Sequence, residues 1–330
     1  MNALLMAGTV LASPLFSPVI QTVQQPVAQE APAGPEVAVD LEDVVVEGRP
    51  LDATIRNFVG EVAEPNRGRG LARWNSKICV GVINLQADAA QYLADRISTI
   101  AADRGLESGG PGCTPNIVVV ASEEPETIAR TLVSERRRAF RMGGAGMDRG
   151  GEALEDFVQT DRPVRWWQMA MPIDSETGQR AIRLPGDCSG PECGEGSALA
   201  FAPKINVFAA SRLRTQIVDN LMRALVIVDV NQVRDVTILQ LADYIAMVSL
   251  AQIDPDADTS GYASILNIFD EPDGSASLTN WDQAFLGGLY TAERNAAAQN
   301  ARRSEIVDAI HSEHGRLREG EPAAGSDTEN

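Results

Sequence analysis

The chain has 330 residues, of which 44% are hydrophobic and 22% are charged, which is enough apolar material for roughly one to two globular domains. Its 46 acidic and 28 basic residues give a formal net charge of −18. Because binding to a phosphate backbone requires clustered lysine and arginine, this charge argues against nucleic acid as a partner.

The first 30 residues have the pattern of a secretory leader. An apolar run, MNALLMAGTVLASPLF, precedes a stretch rich in proline, glutamine and alanine. That order is typical of a leader and its exposed junction, although the usual positively charged start is missing, and a disordered N-terminus is the alternative. No later segment has the roughly 20 uninterrupted apolar residues that a membrane span requires. We therefore expect a periplasmic or secreted protein with a leader over 1–30 and no transmembrane segment.

Residues 31–70 are predicted to form a Pro/Gln-rich linker with a short strand and a helix that begins beyond Pro50, with Asp52 in its first turn. A single globular domain of α/β or α+β class is expected over 71–300. The glycine-rich break RMGGAGMDRGG allows a sub-boundary near 142–160. Beyond residue 300 the sequence is polar, and we expect 301–330 to be a partly disordered tail.

The N-terminal half of this domain has a strand–helix–strand–helix pattern. KICVGVINL and NIVVVAS have the β-branched content of buried strands, and the helical patterns ADAAQYLADRISTIAADRGL and EEPETIARTLVSERRRAF follow them. This order predicts two parallel strands joined by a right-handed crossover. Further along, PVRWWQMAMPI and QRAIRL are predicted to form a hairpin, KINVFAA a strand, SRLRTQIVDNLM a short helix or turn, and RALVIVD a strand.

Four cysteines bear on the compartment. Cys79 opens the first strand and Cys113 lies just before the second, so neighbouring parallel strands would bring their Cα atoms within the roughly 6 Å that a disulfide needs. Cys188 and Cys193 would close a second, smaller loop. Local pairing of this kind favours an oxidising compartment, with four reduced thiols in a cytosolic protein as the alternative. Neither pair has the spacing or the nearby histidine of a zinc site.

Acid–base chemistry would fall to carboxylates, because the chain has only two histidines. His311 and His314 share a helix face but supply two ligands where an active zinc site needs three. Asp229, at the end of ALVIVD, and Asp243, in the next helix, are weak catalytic candidates that would have to converge in one cleft.

The acidic run DPDAD contains Asp254, Asp256 and Asp258 and resembles the start of a calcium loop. It lacks the glycine and the distal glutamate of that pattern, so an acidic turn is favoured over a weak surface calcium site. The glycines of GGAGMDRGG follow a helix rather than a strand, which argues against a dinucleotide loop. We therefore expect neither a metal nor another cofactor.

A partner-binding surface is a further candidate. Arg136, Arg137 and Arg138, within the cluster that runs from Arg130 to Arg141, could hold an anion, but basic residues at a helix C-terminus also complement the helix dipole. Trp166 and Trp167 could form a stacking platform for an envelope protein partner. In an alternating strand, however, one indole is buried and the other can lie under a loop, so a core role is favoured.

The run ILQLADYIAMVSL is predicted to be a central packing helix. Steps of three and four residues place Ile238, Leu241, Ile245 and Val248 on one apolar ridge. An adjacent ridge of small side chains, which includes Ala242 and Ala246, lets a strand or another helix approach closely.

This helix and the segments after it resemble the closing section of zincin-like bacterial exported proteins of unknown function, over about 225–290. In that family a central helix ending Leu-Gly-Leu is followed by a Ser-Ile-Phe-Asn-type segment and a Leu-Thr-x-x-Asp-x-x-x-Leu-x-x-Leu-Tyr helix. The matching positions here are Ser264, Ile265, Asn267, Leu278, Thr279, Asp282, Leu286, Leu289 and Tyr290. Without reference to the family, Thr279 is a good cap for this final helix, with Asp282 in its first turn.

Active zincins carry His-Glu-x-x-His on the central helix, with two zinc ligands one turn apart and the glutamate as base. The resemblance places Ala242 and Ala246 at the two ligand positions and Asp243 at the base position. Because alanine cannot ligate zinc, it implies a zincin-like C-terminal half without the zincin reaction, in a non-catalytic binding or structural protein. The alternatives are an unrelated α/β fold, a carboxylate-dependent hydrolase of the cell envelope, and an envelope partner-binding module.

Overall fold

One four-stranded sheet organises the part of the chain that the structure, a computed structural model, describes, namely residues 50–66, 69–141, 148–180 and 213–320. The helices are α1 (Leu51–Val62), α2 (Ala87–Ala102), α3 (Pro125–Glu135), α4 (Arg137–Phe140), α5 (Gly151–Gln159), α6 (Ile238–Leu250), α7 (Asn280–Thr291) and α8 (Gln299–Gly320). The strands are β1 (Val80–Ile83), β2 (Ile117–Ser122), β3 (Val164–Asp174) and β4 (Ile217–Asp229), and a 3-10 turn covers Ile265–Asn267.

The strand order is β1-β2-β4-β3, with β1, β2 and β4 parallel and β3 antiparallel to β4. The first two strands pair from Val80 with Ile117 to Ile83 with Val120. The fold is therefore mixed α/β with a mostly parallel sheet, and the predicted parallel strands of the N-terminal half are confirmed.

The sheet has a separate apolar cluster on each face, because successive strand side chains point to opposite sides. Val119, Trp166 and Val226 belong to the larger cluster, which also contains buried residues of α1, α2, α6, α7 and α8. Trp167 and Ile227 belong to the smaller one, with buried residues of α3 and α5 and with Phe140 at the end of α4. The strands are consequently covered on both faces, as expected for parallel sheets.

The helix predicted beyond Pro50 is confirmed as α1, with Asp52 in its first turn. Its buried face includes Phe58, whose ring packs edge-on against Tyr262, Trp281 and Phe285. A segment assigned by sequence to a linker thus contributes to the main core.

The single helix predicted over 123–140 is interrupted at Arg136, whose φ of −126° and ψ of 34° separate α3 from α4. The interruption follows from packing at the end of α4. Phe140 is buried beside Phe157, and its carbonyl accepts a hydrogen bond from the indole of Trp167.

The short helix or turn predicted over 211–222 is wrong from Ile217 onward, because β4 begins there and pairs with β3 as far as Asp174. The register shifts between Met169 and Ala170, and such a bulge interrupts the period-two pattern by which a strand is recognised. In the predicted hairpin, the described part of the second strand forms one bridge, between Ile173 and Arg180.

The central helix is confirmed as α6, in which every residue from Gln240 to Leu250 is buried, whereas Ile238 is 42% exposed. It begins with a capping box. The Thr237 side-chain oxygen accepts a hydrogen bond from the Gln240 backbone amide, and the Gln240 side-chain oxygen accepts one from the Thr237 backbone amide. Side chains from other elements bond the carbonyls at its C-terminal end. The pairs are Gln168 with Val248 and Ala251, Trp74 with Ser249, and Tyr290 with Leu250.

The range expected to be a polar tail contains a packed helix. Helix α8 continues to Gly320 and buries Ile306, Val307 and Ile310 against the main core. Because α8 follows α7, the helix that was predicted to be the final one is not. The 10 residues 321–330 lie outside the described part.

Several further predictions fall outside the described residues. These are the leader over 1–30, the short strand near residues 41–47, the strand KINVFAA, the glycine-rich break over 142–147, and Cys188 and Cys193. Within the described ranges, no helix has both the length and the apolar character needed to cross a bilayer.

Candidate functional site

The two positions that the resemblance assigns to zinc ligands lie deep in the main core. Ala242 and Ala246 have no exposed surface and pack among the larger apolar side chains on α6. Neither methyl group offers a lone pair to a metal, and burial leaves no path for solvent to reach either position.

Asp243, one residue after Ala242, is buried with no exposed surface and is paired with a cation. Arg96 of α2 donates to both carboxylate oxygens, from Nε to Oδ1 at 2.5 Å and from Nη2 to Oδ2 at 2.9 Å. The backbone amide of Leu278 donates to Oδ2 at 2.7 Å. The bond to Asp243 is the largest influence on Arg96 and raises its pKa above the ordinary value.

Sequence reasoning missed Arg96 as the partner of Asp243, although a signal was present. Arg96 lies one turn from Leu93 and Ile100 and directly beside Ile97, all of which are buried. A cation on the buried side of an amphipathic helix requires a buried acceptor. Asp243, placed in an otherwise apolar helix, is the complementary group.

The second candidate carboxylate, Asp229, lies at the C-terminal end of β4 and is 7% exposed. It accepts hydrogen bonds from the Asn231 amide at 2.8 Å and from Gln232 Nε2 at 3.0 Å. These contacts hold the turn that follows β4. Asp229 and Asp243 share no hydrogen-bond partner, so the structure does not join them into one acid–base pair.

Four of the positions that carry the resemblance meet in one buried network around Asp282. Its carboxylate accepts from Ser264 Oγ at 2.6 Å, from the Ile265 amide at 2.8 Å, and from the Thr279 amide and Oγ1 at 2.9 and 2.8 Å. Thr279 in turn caps α7 by accepting from the Asp282 amide, which confirms the predicted cap. Burial raises the pKa of Asp282, while these hydrogen bonds act in the opposite direction.

Trp166 and Trp167 do not form one stacking platform, because they lie on opposite faces of the sheet. The two side chains are 6% and 2% exposed, because the sheet is covered on both faces at β3. Each indole nitrogen donates to a backbone carbonyl, Trp166 to Ile253 and Trp167 to Phe140. The alternative, in which both residues belong to the core, is confirmed.

The arginine cluster is divided among different contacts. Arg130 pairs with Glu126 one turn earlier, and Arg141 pairs with Asp148 at 2.9 Å. Arg136 and Arg137 are exposed at the junction between α3 and α4, and Arg138 follows in α4. The arginines of this cluster whose side chains the structure describes are therefore not gathered around one anion.

The disulfide predicted at the edge of the sheet is confirmed. Cys79 and Cys113 are bonded, with their Cα atoms 6.1 Å apart. Asn116 supports this edge, because its side chain accepts from the Cys79 amide and donates to the Lys77 carbonyl.

The two histidines of α8 lie in different surroundings. His311 Nε2 is 3.4 Å from Asp52 Oδ1, whereas the ring of His314 packs edge-on against Trp281. Partial burial, with Arg318 and His311 nearby, lowers the pKa of His314. Throughout the ranges that the structure describes, no three His, Cys, Asp or Glu side chains converge as ligands for a metal ion.

No family model, curated protein or solved structure matches this chain, so a function has to be argued from its own residues and their contacts.

Proposed function

We propose that this chain is an exported, non-catalytic binding or structural protein whose C-terminal half is a degenerate relative of the zincins. One observation carries the proposal. Asp243, at the position that the resemblance gives to the catalytic base, is fully buried and bonded to Arg96 and to the Leu278 amide.

A general base must come within about 2.6–3.2 Å of the proton that it removes. Asp243 has no exposed surface through which a substrate or a reacting water would approach. Both of its oxygens already accept hydrogen bonds from inside the protein. The carboxylate thus joins α2 to α6 and to the segment before α7, which is a structural role.

The surroundings of α6 support the same conclusion. Side chains from three other segments bond the carbonyls at its C-terminal end, namely Trp74, Gln168 and Tyr290. Such contacts hold a helix rigidly in place. A buried helix whose terminal carbonyls are all bonded by other parts of the protein has a structural role, and any binding surface would lie elsewhere on the molecule.

Export is supported by two independent features. The N-terminal run has the composition of a leader, and Cys79 is bonded to Cys113. Disulfides persist mainly in oxidising compartments. We therefore propose a periplasmic or secreted location, which a fusion of residues 1–40 to a reporter enzyme active only outside the cytoplasm would test.

Metal analysis of the untagged, purified protein tests the non-catalytic proposal. We expect zinc well below one equivalent per chain, and no uptake on dialysis against zinc followed by a weak chelator. One tightly held zinc per chain would contradict the proposal.

The hydrolase alternative is tested with the same preparation. Wild type, Asp229→Asn and Asp243→Asn are compared on peptide and glycan substrates of the cell envelope, with Asp308→Asn as an exposed control on α8. We expect no turnover by any of them. Turnover by the wild type that both substitutions abolish in variants whose circular dichroism remains native, and that the control retains, would establish the enzyme.

The zincin ancestry has its own test. Sequences of relatives that align over 225–290 should include some with histidine at positions 242 and 246 and glutamate at 243. If these positions hold only small apolar residues and aspartate throughout, the likeness is a coincidence of packing.

A further inference from the structure

A cavity of about 330 Å³ lies beside α6, between the start of β3 and the segment 253–271. Its walls include the aromatic residues Trp166, Tyr244 and Phe269 and the acidic residues Asp254, Asp258, Asp270 and Glu271. Binding sites for small molecules are typically concave and largely apolar, with a few polar groups that orient the ligand. This cavity is concave and combines an aromatic wall with polar and acidic groups.

The aromatic wall is a continuous set of rings. Tyr244 stands between the other two, with centroids 6.2 Å from Trp166 and 4.8 Å from Phe269 and with interplanar angles of 73° and 66°. Rings that meet edge to face direct some of their negative π faces away from one another. Such faces attract organic cations.

The hydroxyl of Tyr244 is a polar group without a partner. The residue is 8% exposed and lines the cavity, yet its hydroxyl makes no hydrogen bond to any described residue. Burial raises its pKa, so the group stays protonated and can both donate and accept. Because Tyr244 lines the cavity, its hydroxyl is open to solvent and available to a ligand.

The charge of the cavity is negative. Arg162 is the one cation among its lining residues, and it is paired with Asp256 at 2.9 Å. The side chains of Asp270 and Glu271 make no hydrogen bond or ion pair to the described residues. Both carboxylates are exposed to solvent where they line the cavity, and the charges of Arg162 and Asp270 act on the pKa of the Tyr244 phenol in opposite directions.

We propose that this cavity binds a small organic ammonium ion, with its alkyl groups against Trp166, Tyr244 and Phe269 and its charge towards Asp270 and Glu271. Aromatic surfaces combined with carboxylates recognise alkylated ammonium groups in this way. The site goes beyond the proposed non-catalytic role and does not depend on the likeness to zincins.

A divalent metal is the less suitable occupant. Asp254 and Asp258 already accept hydrogen bonds inside their own turns, from the Asp256 amide at 3.0 Å and from Ser260 Oγ at 2.6 Å. No three ligating side chains converge among the described residues, whereas Ca²⁺ requires six to eight oxygens.

Calorimetric titration of the full chain tests the proposal, with choline as the cation and 3,3-dimethyl-1-butanol as a neutral molecule of the same shape. We expect choline to bind at least about 10-fold more tightly than the neutral molecule. Replacing both carboxylates (Asp270→Asn with Glu271→Gln) or the ring (Phe269→Leu) should weaken choline binding about 5- to 10-fold. Asp308→Asn, an exposed carboxylate away from the cavity, should leave the affinity unchanged.

Three results would overturn the proposal. They are equal affinity for the two probes, the absence of choline binding at millimolar concentrations, and choline binding that the cavity variants do not alter. Calcium chloride that binds and prevents choline from binding would assign the cavity to a metal instead. The comparison of the two probes uses the wild-type chain, so it does not depend on whether a variant folds. A negative result here would leave the zinc measurement, and the function that it tests, unaffected.

Discussion

Arg96 of α2 and Asp243 of α6 form a two-bond ion pair in which the carboxylate has no exposed surface and the arginine side chain is 31% exposed. The pair connects the first helical crossover of the sheet to the central helix. Removing one member of such a pair leaves a charge without compensation in a medium of low polarity. The two helices should therefore depend on it for stability.

Asp243→Asn is expected to lower the free energy of unfolding by about 1–3 kcal/mol, because an amide nitrogen meets one of the donors that the carboxylate accepted from. Urea denaturation followed by circular dichroism measures the loss. The exposed Asp308→Asn on α8 should change the free energy by no more than about 0.5 kcal/mol.

A double-mutant cycle distinguishes pairing from packing. Arg96→Met with Asp243→Leu should recover much of the stability that either single change loses, since an apolar pair of similar volume can replace a buried ion pair. Additive losses in the double variant would contradict the structural role assigned to the pair.

Elements could be predicted from the local sequence where they are buried on both sides, as a continuous apolar run, or on one face, as a regular spacing of apolar residues. The parallel strands KICVGVINL and NIVVVAS and the central helix are of this kind. The cysteine pair was predictable because Cys79 and Cys113 occupy equivalent ends of neighbouring strands. In each case a short stretch of sequence was sufficient for the prediction.

Features that depend on distant contacts were not predictable. The bulge after Met169 conceals the alternation by which β4 would be recognised. Helix α8 has a polar sequence, and only three buried side chains attach it to the core. Tyr244 lies in a run that periodicity assigns wholly to the core, and nothing local shows that this residue also lines a cavity with Trp166 and Phe269.

Loss of the disulfide should destabilise the chain. The bond closes a separation of 34 residues, which in the chain-entropy model contributes about 4 kcal/mol. Replacing both Cys79 and Cys113 by serine should lower the free energy of unfolding by roughly that amount. Reducing agent should weaken the wild type similarly, while any further loss in the variant on reduction would report on Cys188 and Cys193. A variant as stable as the wild type would show that the bond contributes nothing to folding.

Asp282 should make stability depend on pH. Burial raises its pKa above the ordinary value of 3.8, so the folded state binds this proton more tightly than the unfolded state does. Its contribution to stability is therefore fully present below about pH 3.8 and is lost as the pH rises through the raised pKa. Asparagine at this position does not titrate.

The deficit of Asp282→Asn relative to the wild type should accordingly be largest in acid and shrink as the pH rises towards 7. About 1 kcal/mol remains there, because an amide oxygen accepts more weakly than a carboxylate from the Ile265 and Thr279 amides. Urea denaturation at several pH values between 4 and 7 measures it, and other titrating groups cancel in the difference. Ser264→Ala retains the carboxylate and removes one donor, so it should steepen the pH dependence. A deficit that grows with pH would mean that the pKa is lowered instead.

The contact between α7 and α8 should depend on one glycine. A Cβ added to Gly288 would lie 2.5 Å from the backbone nitrogen of Ile310 and 2.6 Å from its Cα, distances that backbone atoms cannot adjust to without moving the helix. Gly288→Ala should therefore displace α8 and lower the free energy of unfolding by about 1–3 kcal/mol, despite the roughly 1 kcal/mol that alanine contributes to a helix.

The matched control is Gly287→Ala in the same helix. Its added Cβ would meet the side chain of Glu313 at 3.1 Å, and this side chain can move, so the gain in helix propensity should offset most of the cost. Limited proteolysis of α8 and urea denaturation would measure both variants. Cleavage within α8 should accelerate for Gly288→Ala and remain close to wild type for Gly287→Ala. Equal behaviour of the two variants would show that the close approach at Gly288 does not hold α8 in place.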